Sequence, residues 1–292
     1  MEMWLTQGSV VVGVDGSASG EAALAWAVRH AVREDRQLTV LHACGLPGVM
    51  DDYEDIVASE RGLMSVGRSI VRDAVATARA ADSTLLVEPV VTMGSPATVL
   101  VEASENASVL VVGARGRGAV ASALLGSVSA VVTREAYCPV VVVRGWVDSH
   151  DRPVVVGVDG TPVSTAAVEF AFRRAAMEHV PLTVLHATRD RRTRTASAGE
   201  SRSHAARINL SEREERLVAE TVAGLCEKYP DVTVTELYRR GDPVNQLVEA
   251  SRNASLLVVG ARGRRTLSAA LRGSVSRGVA ERAESPVAVV RG

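Results

Sequence analysis

The sequence predicts two α/β domains in tandem, each built on a parallel sheet. Three observations carry this. Gly94–Gly118 returns as Gly241–Arg265, and Val10–Ser17 returns as Val154–Thr161. A period this long marks a duplicated domain, not a solenoid of short repeats. Within each copy, short apolar runs alternate with helix-period segments, the pattern of βαβ units. The length of 292 residues accommodates two domains, each able to bury its own core. The expected boundaries are 1–147 and 151–292, separated by a short linker, Trp146–His150.

In the first copy, Ser9–Val14 reads as a strand. A helix follows from about Ser19 to Glu34, with Ala23, Leu24, Ala27 and Ala31 at helical spacing. Leu38–Ala43 is a second strand. A loop, Cys44–Ser59, leads into a long helix ending near Ala80, and Leu85–Thr92 is a third strand. Gly94-Ser95-Pro96 reads as a helix start, with a serine cap and proline in the first turn. Gly241-Asp242-Pro243 repeats it with aspartate. Val109–Val112 is a buried fourth strand, Gly126-Ser127 opens another helix, and Pro139–Arg144 is the last strand. The second copy places strands at Val154–Val158, Leu182–Ala187, Val232–Tyr238, Leu256–Val259 and Val287–Arg291.

Composition narrows the function. Aromatic residues are 3% of the chain, so aliphatic side chains must fill the cores. The net charge of -1 recommends neither nucleic acid nor membrane as partner. Residues 1–147 carry 11 basic and 16 acidic side chains, and the remainder carries 22 and 18. Opposite charges favour the halves packing together, although drift on solvated surfaces gives the same numbers. Lys228 is the lone lysine, which excludes a phosphate loop of the GxxxxGK[ST] kind and disfavours Schiff-base chemistry. Cys44, Cys138 and Cys226 have no zinc or CxxC spacing, which suits a reducing compartment. Met1–Gln7 lacks a basic segment and does not read as a signal peptide. No apolar run reaches the length of a membrane span.

The copies differ most after their second strands. Asp51–Asp55 is acidic, whereas Arg189–Arg194 is basic and runs into a Ser/Ala/Gly-rich stretch to about Ala206. Both read as surface loops. No aromatic platform accompanies the arginines, so nucleic acid is not the expected partner.

Chemistry concentrates after the fourth strand. Gly113-Ala-Arg-Gly116, nine residues, then Gly126-Ser127 is matched by Gly260-Ala-Arg-Gly263, nine residues, then Gly273-Ser274. Glycine lets backbone approach a ligand, and a helix N-terminus favours an anion. Ser127, Ser129, Ser274 and Ser276 add hydroxyls. Arg115, Arg117, Arg262 and Arg264 can neutralise phosphate where another fold would use lysine. A glycine turn or a Gly-Ser cap alone is ordinary structure. The whole spacing, twice over after a valine-rich strand, points to phosphate binding. Asp15 and Asp159, followed by Gly16-Ser17 and Gly160-Thr161, lie just past each first strand. In a doubly wound sheet, the first and fourth strands flank the ligand crevice. Each aspartate can accept from a ribose hydroxyl, help hold a phosphate-bound cation, or cap its own turn. His42 and His186 read as satisfied strand-end histidines beside Ala43 and Ala187, which can line an adenine slot.

These residues resemble the universal stress protein family, whose nucleotide-binding members carry the Gly-x2-Gly-x9-Gly-Ser/Thr pattern and the aspartate. The resemblance covers nearly the whole chain and is to the tandem, two-domain type. It implies α/β domains that are doubly wound (Rossmann-like, adenine nucleotide alpha hydrolase-like), each a five-stranded parallel sheet of order 3-2-1-4-5. It implies ATP at the carboxyl edge, two per chain, with Mg or Mn on the phosphates. Adenine would lie near Val14, Asp15 and Ala43, ribose near Asp15 and Gly113, and phosphates over Gly116, Gly126, Ser127 and Val128. The second copy maps onto Val158, Asp159, Ala187, Gly260, Gly263, Gly273, Ser274 and Val275. Arg265 departs from Gly118, inside the variable nine residues.

The resemblance further implies a cytoplasmic regulator in stress, dormancy or growth arrest, and not a dedicated enzyme. It implies a homodimer, and an intrachain pseudo-dimer through the final strands. The rival is a slow ATP hydrolase or nucleotidyl-transferring enzyme on the same fold. Against it, neither the Ser-Gly-Gly-x-Asp-Ser loop of ATP pyrophosphatases nor the His-x-Gly-His of nucleotidylyl transferases is present. A flavin-binding electron carrier has only fold analogy behind it.

Overall fold

The computed structural model describes residues 6–45, 53–116, 125–144, 151–188, 216, 218–261 and 274–291, with backbone alone at 53–59, 162–163 and 274. The chain divides into two compact units, Met1–Val147 and Asp148–Gly292. The first unit runs β1 (Ser9–Gly13), α1 (Ala18–Arg33), β2 (Leu38–Cys44), α2 (Tyr53–Ala81), β3 (Val87–Met93), α3 (Pro96–Ala103), β4 (Ala107–Gly113), α4 (Ser127–Glu135) and β5 (Val140–Val143). Its strands are all parallel, in the order β3-β2-β1-β4-β5. The second unit runs β6 (Val154–Val158), α5 (Pro162–Glu178), β7 (Leu182–Thr188), a helix α6 over 218–228, β8 (Val234–Arg240), α7 (Pro243–Ser251), β9 (Leu256–Gly260), α8 (Ser274–Arg282) and β10 (Val287–Val290). Its parallel order is β8-β7-β6-β9-β10. Each unit is therefore the expected doubly wound sheet of order 3-2-1-4-5. The expected linker, Trp146–His150, lies outside the described residues.

Both faces of each sheet are covered, which is why the strands read as continuous valine runs. Val11, Leu41, Leu110 and Val142 share one buried cluster with Val99 and Leu100 of α3 and Val132 of α4. Val10, Val12, Val40 and Val111 alternate to the opposite face and are fully buried, as are Ala23, Ala27 and Ala31 of α1. The second unit repeats the first cluster with Val155, Leu185, Leu247, Leu257, Val279 and Val289.

Four local expectations are corrected. The loop after β2 is shorter than Cys44–Ser59, because α2 begins at Tyr53. Glu54 and Asp55 thus belong to a helix start, not to a loop. The strand expected at Leu85–Thr92 is shifted to Val87–Met93, residue for residue against Leu38–Cys44. Asp82 fixes the preceding turn by accepting from Thr84 N at 2.8 Å and Thr84 Oγ1 at 2.6 Å. The strand expected at Val232–Tyr238 is Val234–Arg240, paired along Leu182–Thr188. Ser95 stands at the N-cap of α3 but makes no side-chain cap bond, whereas Asp242 caps α7 through Val244 N and Asn245 N.

β3 ends the ladder of its unit and carries Pro89. Leu86 O accepts from Leu38 N, and Gly94 N donates to Cys44 O. Backbone groups of even-numbered residues between them therefore face β2, and Pro89 faces away. Its missing N–H is absent from the outer edge, where a donor would invite another strand. No helix among the described residues is long and apolar enough to cross a membrane.

Candidate functional site

β1 pairs with β2 on one side and β4 on the other, so the connection leaving β1 runs toward β2 and the one leaving β4 runs toward β5, in opposite directions. In a sheet of this topology a ligand crevice is expected at the carboxyl edge, beyond Gly13 and Gly113. Past β1 the chain turns at Asp15-Gly16-Ser17, with Gly16 at φ 73. Few side chains adopt that left-handed conformation. Asp15 Oδ1 accepts from Ser17 N at 3.0 Å and from Ser17 Oγ at 2.6 Å. Ser17 Oγ then accepts from Gly20 N at 3.2 Å, capping α1. Asp15 thus fixes its own turn through one oxygen. The other, Oδ2, faces Gly116: a Cβ at Gly116 would lie 2.6 Å from it.

The loop after β4 is held at several points. Ala114 N donates to Val143 O at 2.8 Å, and Gly126 N donates to Ala114 O at 2.8 Å. The second bond draws the N-terminus of α4 against the loop. Arg115 N donates to Ser19 Oγ at 3.2 Å. Arg115 Nε is buried, with no hydrogen-bond partner among the described residues. Gly126 is the N-cap of α4, and Ser127 and Val128 form its first turn. Their N–H groups precede any intrahelical acceptor. Ser129 turns inward, donating its hydroxyl to Gly113 O at 2.7 Å.

Each pattern glycine has its own reason. A Cβ at Gly113 would lie 2.5 Å from Ser19 Oγ and 2.7 Å from the Ser19 backbone, so this glycine lets β4 and α1 meet. Gly116 makes room for the Asp15 carboxylate. Gly126 is less crowded: its nearest neighbours would be Ala114 O at 3.4 Å and Arg115 Cα at 3.5 Å. Of the three, Gly126 is the one where a Cβ would meet its neighbours at ordinary contact distances.

On the side where adenine is expected, both backbone groups of Val14 are engaged. Its N–H donates to Leu41 O at 2.9 Å, and its carbonyl lies 2.7 Å from His42 Nδ1. A carbonyl only accepts, so Nδ1 carries the proton and the histidine is a satisfied strand-end residue. Val14 and Ala43 are buried and would form an apolar wall.

The second unit repeats the frame. Asp159 Oδ1 accepts from Thr161 N at 3.1 Å and from Thr161 Oγ1 at 2.6 Å, and Gly160 has φ 74. His186 Nδ1 lies 2.9 Å from Val158 O, beside Ala187 of β7. Gly260 ends β9, and Ala261 N donates to Val290 O at 2.6 Å. Ser274 opens α8, followed by Val275 and a buried Ser276. Arg117, Arg262, Gly263, Arg264 and Gly273 lie outside the described residues. No cluster of three or more metal-ligating side chains occurs among the described residues. Sequence reasoning missed Ser19 and Ala114. Nothing in a serine's identity shows which strand end its hydroxyl will meet, and Ala114 acts through its backbone.

A family model described as the universal stress protein family matches residues 8–144 and again 151–291. A universal stress protein of Mycobacterium tuberculosis strain H37Rv is 36% identical over 305 residues, covering 98% of this chain and 97% of its own length. Another from the same strain is 35% identical over 302 residues, covering 97% and 96%. The crystal structure of a universal stress protein from Archaeoglobus fulgidus DSM 4304 superposes with a TM-score of 0.72 at 21% identity. It covers 98% of this chain and 99% of that one, a likeness of fold.

Proposed function

The chain belongs to the universal stress protein family, and from that premise we propose that it is an ATP-binding regulator with one nucleotide site per domain. One observation carries the reading. The N-terminus of α4 is drawn against Ala114–Gly116, beside Gly126 and a buried, unpartnered Arg115 Nε. Backbone donors, a helix dipole and the Arg115 guanidinium, whose Nε has no partner among the described residues, would form a cradle for anionic oxygens. Phosphates would take the N–H groups of Ser127 and Val128 and the charge of Arg115. Asp15 would face the ribose and, with phosphate oxygens, a Mg or Mn ion. The apolar wall at Val14 and Ala43 suits a purine ring. The repeated aspartate turn and histidine tie support a second ATP at Asp159, Ala187 and Gly260.

ATP bound this way serves as a signal in stress, dormancy or growth arrest, and the family reading adds a cytoplasmic homodimer. Mass spectrometry of small molecules released from purified protein should find adenine nucleotide. Calorimetry on the stripped chain should then give two sites. Absence of nucleotide in both would refute the reading. Bound ATP should remain intact over hours. Steady hydrolysis lost on Asp15→Ala with Asp159→Ala would instead make the protein an enzyme.

A further inference from the structure

The two copies diverge where the first strand passes into the first helix. The first has Ser17-Ala18-Ser19-Gly20, and the second has Thr161-Pro162-Val163-Ser164. In the first, this segment is bonded to the loop after β4. Ser19 Oγ accepts from Arg115 N at 3.2 Å, and Gly113 packs directly on Ser19. Ser17 caps Gly20 N, and Gly20 leaves space for Asp15: a Cβ there would lie 2.9 Å from Oδ1.

The second copy lacks the chemistry for this tie. Valine at 163 has no hydroxyl to accept an N–H. Thr161 makes no side-chain cap bond. Ser164 directs its hydroxyl and its N–H to Thr161 O, at 2.7 and 2.9 Å. Asp159 is exposed, whereas Asp15 is half-buried.

We infer that Ser19 is a positioning residue for the first nucleotide site, and that the two sites of the chain are therefore unequal, the first binding ATP more tightly. The inference rests on the nucleotide-binding reading above. A loop ordered before the ligand arrives loses less conformational freedom on binding, so affinity rises without a new ligand contact. Arg115 is the residue so held, and its side chain is the one offered to phosphate.

The test is calorimetry of the full, nucleotide-stripped chain titrated with ATP and magnesium. Two sites should be resolved, differing by about tenfold, the scale of one or two backbone hydrogen bonds. Ser19→Ala should weaken the tighter site roughly three- to tenfold and leave the weaker unchanged, while Ser19→Thr, which keeps the acceptor, should retain the tighter. Val163→Ser should tighten the weaker site, a gain that a purely structural role for the hydroxyl does not predict. Two equal sites, or two sites indifferent to Ser19→Ala in a variant with unchanged melting, would overturn the inference while leaving ATP binding intact. A chain that binds no ATP overturns both.

Discussion

The carboxylate of Asp15 and the backbone of Gly116 occupy adjoining space, so closely that a Cβ at residue 116 would lie 2.6 Å from Asp15 Oδ2. Two segments about a hundred residues apart in sequence therefore constrain each other's residue type. The glycine is required by an aspartate on the neighbouring strand end, whatever ligand approaches.

This coupling is measurable. Gly116→Ala should destabilise the chain by about 1–3 kcal/mol, the usual cost of overpacking. In an Asp15→Ala background the same change should cost clearly less, because the opposing oxygen is gone. Urea unfolding of the four chains gives the cycle. Equal costs in both backgrounds would mean that the two residues do not meet.

Ser129→Ala removes the donor to Gly113 O and leaves a buried carbonyl short of a partner. The expected loss is about 1–3 kcal/mol. Urea midpoints would check it. A neutral result would place the Ser129 hydroxyl elsewhere, free to serve a ligand.

Four helix starts separate cap from appearance. Ser17→Ala and Asp242→Ala should each cost about 1 kcal/mol, since both side chains accept from the first turn. Thr161→Ala and Ser95→Ala should cost less, because neither makes a side-chain cap bond. Thermal melts of the four variants provide the comparison, and equal losses would contradict the cap geometry.

The thiols should differ in reactivity. Cys226 is exposed, while Cys44 and Cys138 are buried. Burial also raises the Cys44 thiol above its ordinary range. At neutral pH it is protonated folded and unfolded, and contributes no pH dependence. Above the ordinary thiol range the unfolded chain ionises first, so stability falls as pH rises. Iodoacetamide at pH 8 should label Cys226 in the native chain, and all three cysteines in denaturant. Rapid native labelling of Cys44, read by mass spectrometry, would contradict its burial.

Much of the architecture is legible in the sequence. Valine runs buried on both faces have one reading, a parallel sheet covered by helices, and β1, β4, β6 and β9 followed it. The Asp-Gly-Ser and Asp-Gly-Thr turns were legible as well, because aspartate and glycine have few other reasons to stand together past a strand. The ends of β3 and β8 were not. β3 was expected to end one residue early and β8 two, since a strand stops where its partner stops, and Leu38–Cys44 and Leu182–Thr188 set those limits.

The sequence by itself determined the duplication, the parallel sheets and the presence of glycines and serines at strand ends, because these follow from periodicity and backbone preference along neighbouring residues. Only the tertiary structure decided what each does. Gly113 makes way for Ser19, Gly116 for Asp15, and Ser129 turns inward to Gly113, while Gly126 N ties the start of α4 to Ala114 O and Arg115 N is held by Ser19. Those assignments depend on which segments β1 and β4 bring within a few ångströms. That proximity arises from burying both faces of a sheet, and it leaves no trace in the spacing of residues along the chain.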